Sequence, residues 1–167
     1  EAPTVQTTQV TRQTMRITHP ELWSPESPHI YSMRTTLIRE EDILDRTTDS
    51  FGIRTVSFDP DAGFLLNGCS LKLRGGCMHH DNGLLGARAY DRAEERRVSL
   101  MKASGFNAVR TSHNPPSPAF LDACDRLGVL VIDELYDGWF AEGKKKPYYR
   151  IPFETGHAED VERFVKR

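Results

Sequence analysis

Residues 106–134 read FNAVRTSHNPPSPAFLDACDRLGVLVIDE, and the order of patterns in this stretch decides the fold. FNAVRTSH has strand composition. SPAFLDACDRLG carries helix punctuation at both ends: Ser117 at the N-cap, Pro118 at the first helical position, Gly128 just past the end. Phe120, Leu121, Cys124 and Leu127 recur at i, i+1, i+4 and i+7, which is one helix face. That face assigns Cys124 to the core rather than to nucleophilic chemistry. VLVIDE then closes the stretch as an unbroken apolar run ending in acids. Such runs mark strands of a parallel sheet buried on both faces. Strand, helix, strand in this order implies a right-handed crossover.

The alternation extends in both directions. SLKLRGGCMHH (70–80) reads as a strand ending in a Gly-rich turn, and YDRAEERRVSLMKASG (90–105) as a helix. Asp91 is placed to cap that helix, Glu94 to complete a capping box, and Gly105 to end it. Leu100 and Met101, with Ala93, supply its narrow apolar face. A last helix is expected from Ala158, where Val161, Phe164 and Val165 share a side. The chain has a different character before Phe51. Trp23, Ile30, Tyr31, Met33, Leu37 and Ile38 stand among Pro20, Pro25 and Pro28, and Tyr31, Met33, Thr35, Leu37 alternate as on a half-exposed antiparallel strand. This predicts the end of a β-sandwich over 1–58, since about 100 residues make a complete one. An α/β unit is predicted over 59–167, its parallel strands beginning near Phe64.

Composition narrows the function. The chain is 38% hydrophobic and 28% charged, with a formal net charge of -2. No basic stretch supports a nucleic-acid or anionic-membrane partner; Lys144-Lys145-Lys146 reads as a solvated loop. No apolar run reaches the roughly 20 residues that span a bilayer. Cys69, Cys77 and Cys124 are odd in number and irregular in spacing, which is no disulfide framework. No leader sequence is visible at Glu1, and the compartment stays open. Nucleotide-binding glycine motifs and a GxSxG elbow are absent.

Polar residues follow each predicted strand: His79, His80 and Asp81; Arg110, His113 and Asn114; Asp133, Glu134 and Asp137. In parallel α/β folds the ligand crevice lies at the carboxyl ends of strands. Donors mixed with acceptors suit a neutral, hydroxyl-rich ligand, and Trp139 with Phe140 could wall it.

FGIR, FLLNG, LKLRGGCMHHDNGLLG and MKASGFNAVRTSHNPPSPAFLDACDRLGVLVIDE together resemble glycoside hydrolase family 2, especially its β-galactosidase-like members. The resemblance spans roughly Leu22 to Arg167. It implies the first units of a (β/α)8 TIM barrel, preceded by the last strands of an immunoglobulin-like β-sandwich. It also implies a retaining glycosidase cleaving terminal β-glycosides, with β-galactosides first among them. In such enzymes one glutamate acts as acid/base and another as nucleophile. By the same resemblance both glutamates fall beyond Arg167, so this chain holds no catalytic residue and by itself is expected to be inactive. His79, Arg110, His113 and Asn114 would then bind sugar hydroxyls or line the reacting centre, with Arg110 keeping the nucleophile ionised. Asp81, Glu134 and Trp139 are secondary candidates, and Glu134 is a supporting residue rather than a catalyst. Some relatives bind Mg²⁺ through a Glu-x-His after the third strand. Here DELYDGWFAEG lacks that pair, so neither a metal nor another cofactor is expected.

The partners implied are a carbohydrate and the remaining parts of a longer enzyme, with homo-oligomerisation left open. Two alternatives stand beside this reading. One is a non-catalytic carbohydrate-binding fragment. The other is a metal site from His79, His80, Asp81 and His113, although adjacent strand residues point apart.

Overall fold

The computed structural model describes residues 10–137 and 147–165. Strands β1 (Tyr31–Arg39) and β2 (Asp42–Phe51) form an antiparallel hairpin. Strands β3 (Val56–Asp59), β4 (Gly63–Leu66) and β5 (Cys69–Ser70) form a small antiparallel sheet. There follow β6 (Gly75–His79), a 3-10 turn (Gly83–Leu85), α1 (Asp91–Ala103), β7 (Ala108–Ser112), α2 (Pro118–Leu127), β8 (Leu130–Ile132) and α3 (Pro147–Val165). β6, β7 and β8 lie side by side and parallel. The architecture is the opening of a β/α barrel preceded by strands of a sandwich. None of the described helices is long and apolar enough to cross a membrane.

The changeover from antiparallel to parallel comes later than Phe64. Antiparallel pairing runs through Ser70, residues 71–74 belong to no strand, and the parallel sheet opens at Gly75. The two glycines are therefore inside the strand and make no turn. A Cβ on Gly75 would stand 2.0 Å from the Ala108 carbonyl oxygen, so only glycine lets β6 approach β7 here. Low strand propensity had disguised the strand as a turn.

Asn107 splices the two strands at their start. Its buried side chain accepts from the Arg74 backbone N–H at 2.7 Å and donates to the Lys72 carbonyl at 3.1 Å. Its own carbonyl takes the Leu130 N–H at 2.8 Å. One residue thus fixes the starts of all three parallel strands, through its side-chain amide and its backbone carbonyl.

Strand alternation divides the sheet into two faces. Met78, Val109 and Val131 turn toward the helices and pack with Val98, Phe120, Ala123, Cys124 and Val129. Val131 is half-buried rather than buried. The α2 face is as its spacing predicts: Ser117 accepts from the Phe120 N–H at 3.2 Å, and Gly128 ends the helix at φ 73°. Ser117→Ala is expected to cost about 1 kcal/mol, read as a lowered urea midpoint at constant slope; an unchanged midpoint would show water replacing the cap.

Helix α1 departs from expectation. Tyr90, not Asp91, is the N-cap, and no side chain caps it. Glu94 is drawn instead into a buried pair with Arg97 at 3.0 Å. Val98 is the fully buried apolar residue, whereas Leu100 is 50% exposed. A charged, irregular helix leaves its inward face to be chosen by packing. Helix α3 begins at Pro147, well before Ala158, and buries Phe153.

Burial pushes the Cys124 thiol up to about 12, against about 8.5 in an unfolded chain. The folded state keeps this proton longer. The stability it contributes is complete below about pH 8.5 and is lost as pH rises toward 12. The urea midpoint should therefore fall more steeply between pH 8 and 10 in the parent than in Cys124→Val; equal slopes would dismiss the linkage.

The other sheet face carries Ala108 and Leu130 at the strand starts. Trp23, Leu66, Phe64, Leu71 and Ile30 cover them. Trp23 is 2% exposed, and its indole N–H donates to the Asp125 carbonyl at 2.8 Å. Lys102 ties the same segment down, donating to the carbonyls of Pro25 (2.6 Å) and Gly128 (2.9 Å). The sequence reading put Trp23 in the sandwich; the structure makes it the plug beneath the parallel sheet.

Candidate active site

Cys77, Arg110 and Ile132 stand in register on the inner sheet face. His79 and Ser112 are paired one step nearer the carboxyl ends, and Glu134 follows β8. Arg110 organises this end. Its Nε donates to Glu134 Oε1 at 2.9 Å, and its Nη2 makes a second hydrogen bond to the same oxygen. Its Nη1 donates to Ser112 Oγ at 3.1 Å and to Cys77 Sγ at 3.2 Å. The other carboxylate oxygen of Glu134 lies 3.3 Å from His113 Nδ1, which is also 3.8 Å from Asp137. The rings of His79 and His113 meet edge to face, 5.2 Å between centroids. Within this chain Arg110, His113 and Glu134 keep 38%, 40% and 20% of their side-chain surface exposed.

Of the residues singled out in the sequence, His79, Arg110, His113 and Glu134 come together. Asn114 is exposed, donates to the Pro115 carbonyl at 3.0 Å, and lines a small cavity together with His79, His80, Glu94, Arg97 and Ser112. Asp81 accepts the Gly83 N–H at 3.2 Å and shapes the turn after β6. Asp133 pairs with Thr111 at 2.8 Å. Trp139 and Phe140 lie outside the described residues. No group of three His, Cys, Asp or Glu side chains among the described residues could hold a metal ion.

Two contributors were not singled out in the sequence. Cys77 and buried Ser112 both bond the Arg110 guanidinium, and strand alternation from Arg110 would have placed Ser112 beside it. The Ser112 hydroxyl and then Arg110 hydrogen-bond to the Cys77 sulfur and draw its pKa below the ordinary thiol range. Behind the site, Arg97 donates to the His79 carbonyl at 2.6 Å, anchoring the end of β6 to α1.

An arginine, two histidines and a glutamate converging at the carboxyl ends of neighbouring parallel strands define the class: the opening of a β/α-barrel domain with its polar site at the barrel mouth. A family model described as "Glycosyl hydrolases family 2, TIM barrel domain" matches residues 60–141, and one described as "Glycosyl hydrolases family 2" matches residues 1–54. The chain belongs to glycoside hydrolase family 2. It is 43% identical to the β-galactosidase BoGH2A of Bacteroides ovatus over 155 residues, covering 93% of this chain and 18% of that protein. A putative β-glucuronidase of Formosa agariphila is 37% identical, with 92% and 15% covered. A solved family 2 member from Bacteroides cellulosilyticus superposes with a TM-score of 0.77 at 51% identity, over 85% of this chain and 18% of that one. The chain thus spans less than a fifth of the length of these relatives.

Proposed function

We propose that this chain is the sandwich-to-barrel segment of a retaining glycosidase that cleaves terminal β-glycosidic bonds, with β-galactosides as its substrates. The observation that carries this reading is the Arg110–Glu134–His113 cluster, with His79 against it, at the carboxyl ends of parallel strands. In the double displacement, one carboxylate attacks the anomeric carbon while another carboxyl group protonates the leaving oxygen. Both belong to the remaining barrel strands. Arg110 holds the attacking carboxylate ionised, because a nearby positive charge favours the charged form. His79 and His113 bond sugar hydroxyls. Glu134 already serves Arg110 and His113 and acts through them. The family relatives named for β-galactosidase and for β-glucuronidase activity support the reaction class.

The test is turnover of nitrophenyl β-galactoside and β-glucuronide by the intact enzyme carrying this segment, with the product anomer followed by NMR. Retention and faster β-galactoside cleavage are expected, and the 167-residue chain alone should give no turnover. Inversion would overturn the mechanism; faster β-glucuronide cleavage would replace the sugar.

A further inference from the structure

We propose that Cys77 and Ser112 are positioning residues for Arg110, fixing the guanidinium edge that Glu134 leaves free. This inference rests on the reading of Arg110 as the residue that keeps the nucleophile ionised. Its own basis is geometric. A guanidinium offers five N–H donors in a rigid plane. Glu134 takes Nε and Nη2 through a single oxygen, Oε1. One acceptor atom leaves the plane free to pivot about it. The opposite edge is held by two further acceptors on two adjacent strands: Cys77 Sγ at 3.2 Å from β6 and Ser112 Oγ at 3.1 Å from β7. Both anchors are set by the backbone, since Cys77 is in register with Arg110 and Ser112 stands two residues on along the same face.

The chemistry of the anchors matters as well as their position. Ser112 is 3% exposed, so its hydroxyl needs partners, and Arg110 and Cys77 provide them. The hydroxyl of Ser112 and the sulfur of Cys77 restrain the guanidinium as hydrogen-bond acceptors on the side away from Glu134. Arg110 is thereby held in one orientation toward an anion at the strand ends. Among the described residues, the other ionisable groups nearby include His113, bonded to the far oxygen of Glu134 and 3.8 Å from Asp137, and His79 against His113.

Two measurements on the intact enzyme test this. In the first, Cys77→Val removes the acceptor and should lower kcat/KM by about fivefold or more, with the melting temperature unchanged. Cys77→Ser keeps an acceptor on the same stem and should recover at least half of that loss. Equal losses in both variants would overturn the proposal. In the second, Cys77 is alkylated with iodoacetamide at pH 7: the sulfur–carbon bond forms, iodide leaves, and the thiol proton goes to solvent. Mass spectrometry of the Cys77 peptide separates it from exposed Cys69. Arg110→Met should slow this labelling about fivefold. Equal rates, or a parent Cys77 that does not label, would overturn the coupling whatever the kinetics. Arg110→Met with the kcat/KM of the parent would instead sink the proposed role of Arg110 while the labelling result stands by itself.

Discussion

Replacing Arg110 by alanine in the intact enzyme is expected to lower kcat/KM by more than about tenfold, or roughly 1.4 kcal/mol of transition-state stabilisation. Folding stability should fall by less than about 1 kcal/mol, because a partly exposed ion pair contributes little. The asymmetry follows from location. Arg110 stands in the polar cluster at the strand ends and belongs to neither apolar core, so its removal opens no cavity in them. Its partners Glu134, Ser112 and Cys77 lose a common donor at once, and under the proposed mechanism the attacking carboxylate loses the positive charge that keeps it ionised. A substitution that left a protein of parent stability and parent kcat/KM on its best glycoside would remove Arg110 from the site. Arg110→Lys should rescue little, since an ammonium cannot span Glu134 and Cys77 together.

Trp23→Ala is expected to cost about 3–5 kcal/mol of stability, the range for deleting a large buried aromatic side chain. Trp23 is 2% exposed and packs with Leu66, Ala108 and Leu130. Its deletion also strands the Asp125 carbonyl that accepts the indole N–H, and removes the ring beneath the Arg54 guanidinium, 4.8 Å from its centroid. Chemical denaturation reads the loss. Trp23→Phe, which keeps an aromatic ring and drops the N–H, should lose appreciably less. A Trp23→Ala midpoint within error of the parent would mean that the plug is not a fold determinant.

Much of the molecule was legible before its structure. Ser117, Pro118 and Gly128 bracketed α2 because caps are local chemistry, decided within a few residues. The VLVIDE run announced a parallel strand through its unbroken apolar character, although only its start is buried, with Val131 half-buried and Ile132 exposed. His79, Arg110 and His113 were expected on one side because a parallel sheet aligns its carboxyl ends, and the structure brings their side chains together there. These features repeat along the chain and need no knowledge of what packs against them.

Tertiary structure alone decided the rest. Gly75 became a strand residue by pairing with Ala108, 33 positions away in sequence, at a closeness that leaves no room for a Cβ and that no local pattern records. Glu94 left the capping box for Arg97 because a buried carboxylate must find a cation. Trp23 crossed from the sandwich to the underside of the barrel because the uncovered strand starts, Ala108 and Leu130, offered apolar surface to bury. Cys77 passed for an ordinary thiol until register set it opposite Arg110. Local propensity and periodicity are written in neighbouring residues, whereas close approach, charge pairing and strand register arise between residues that meet only when the chain folds.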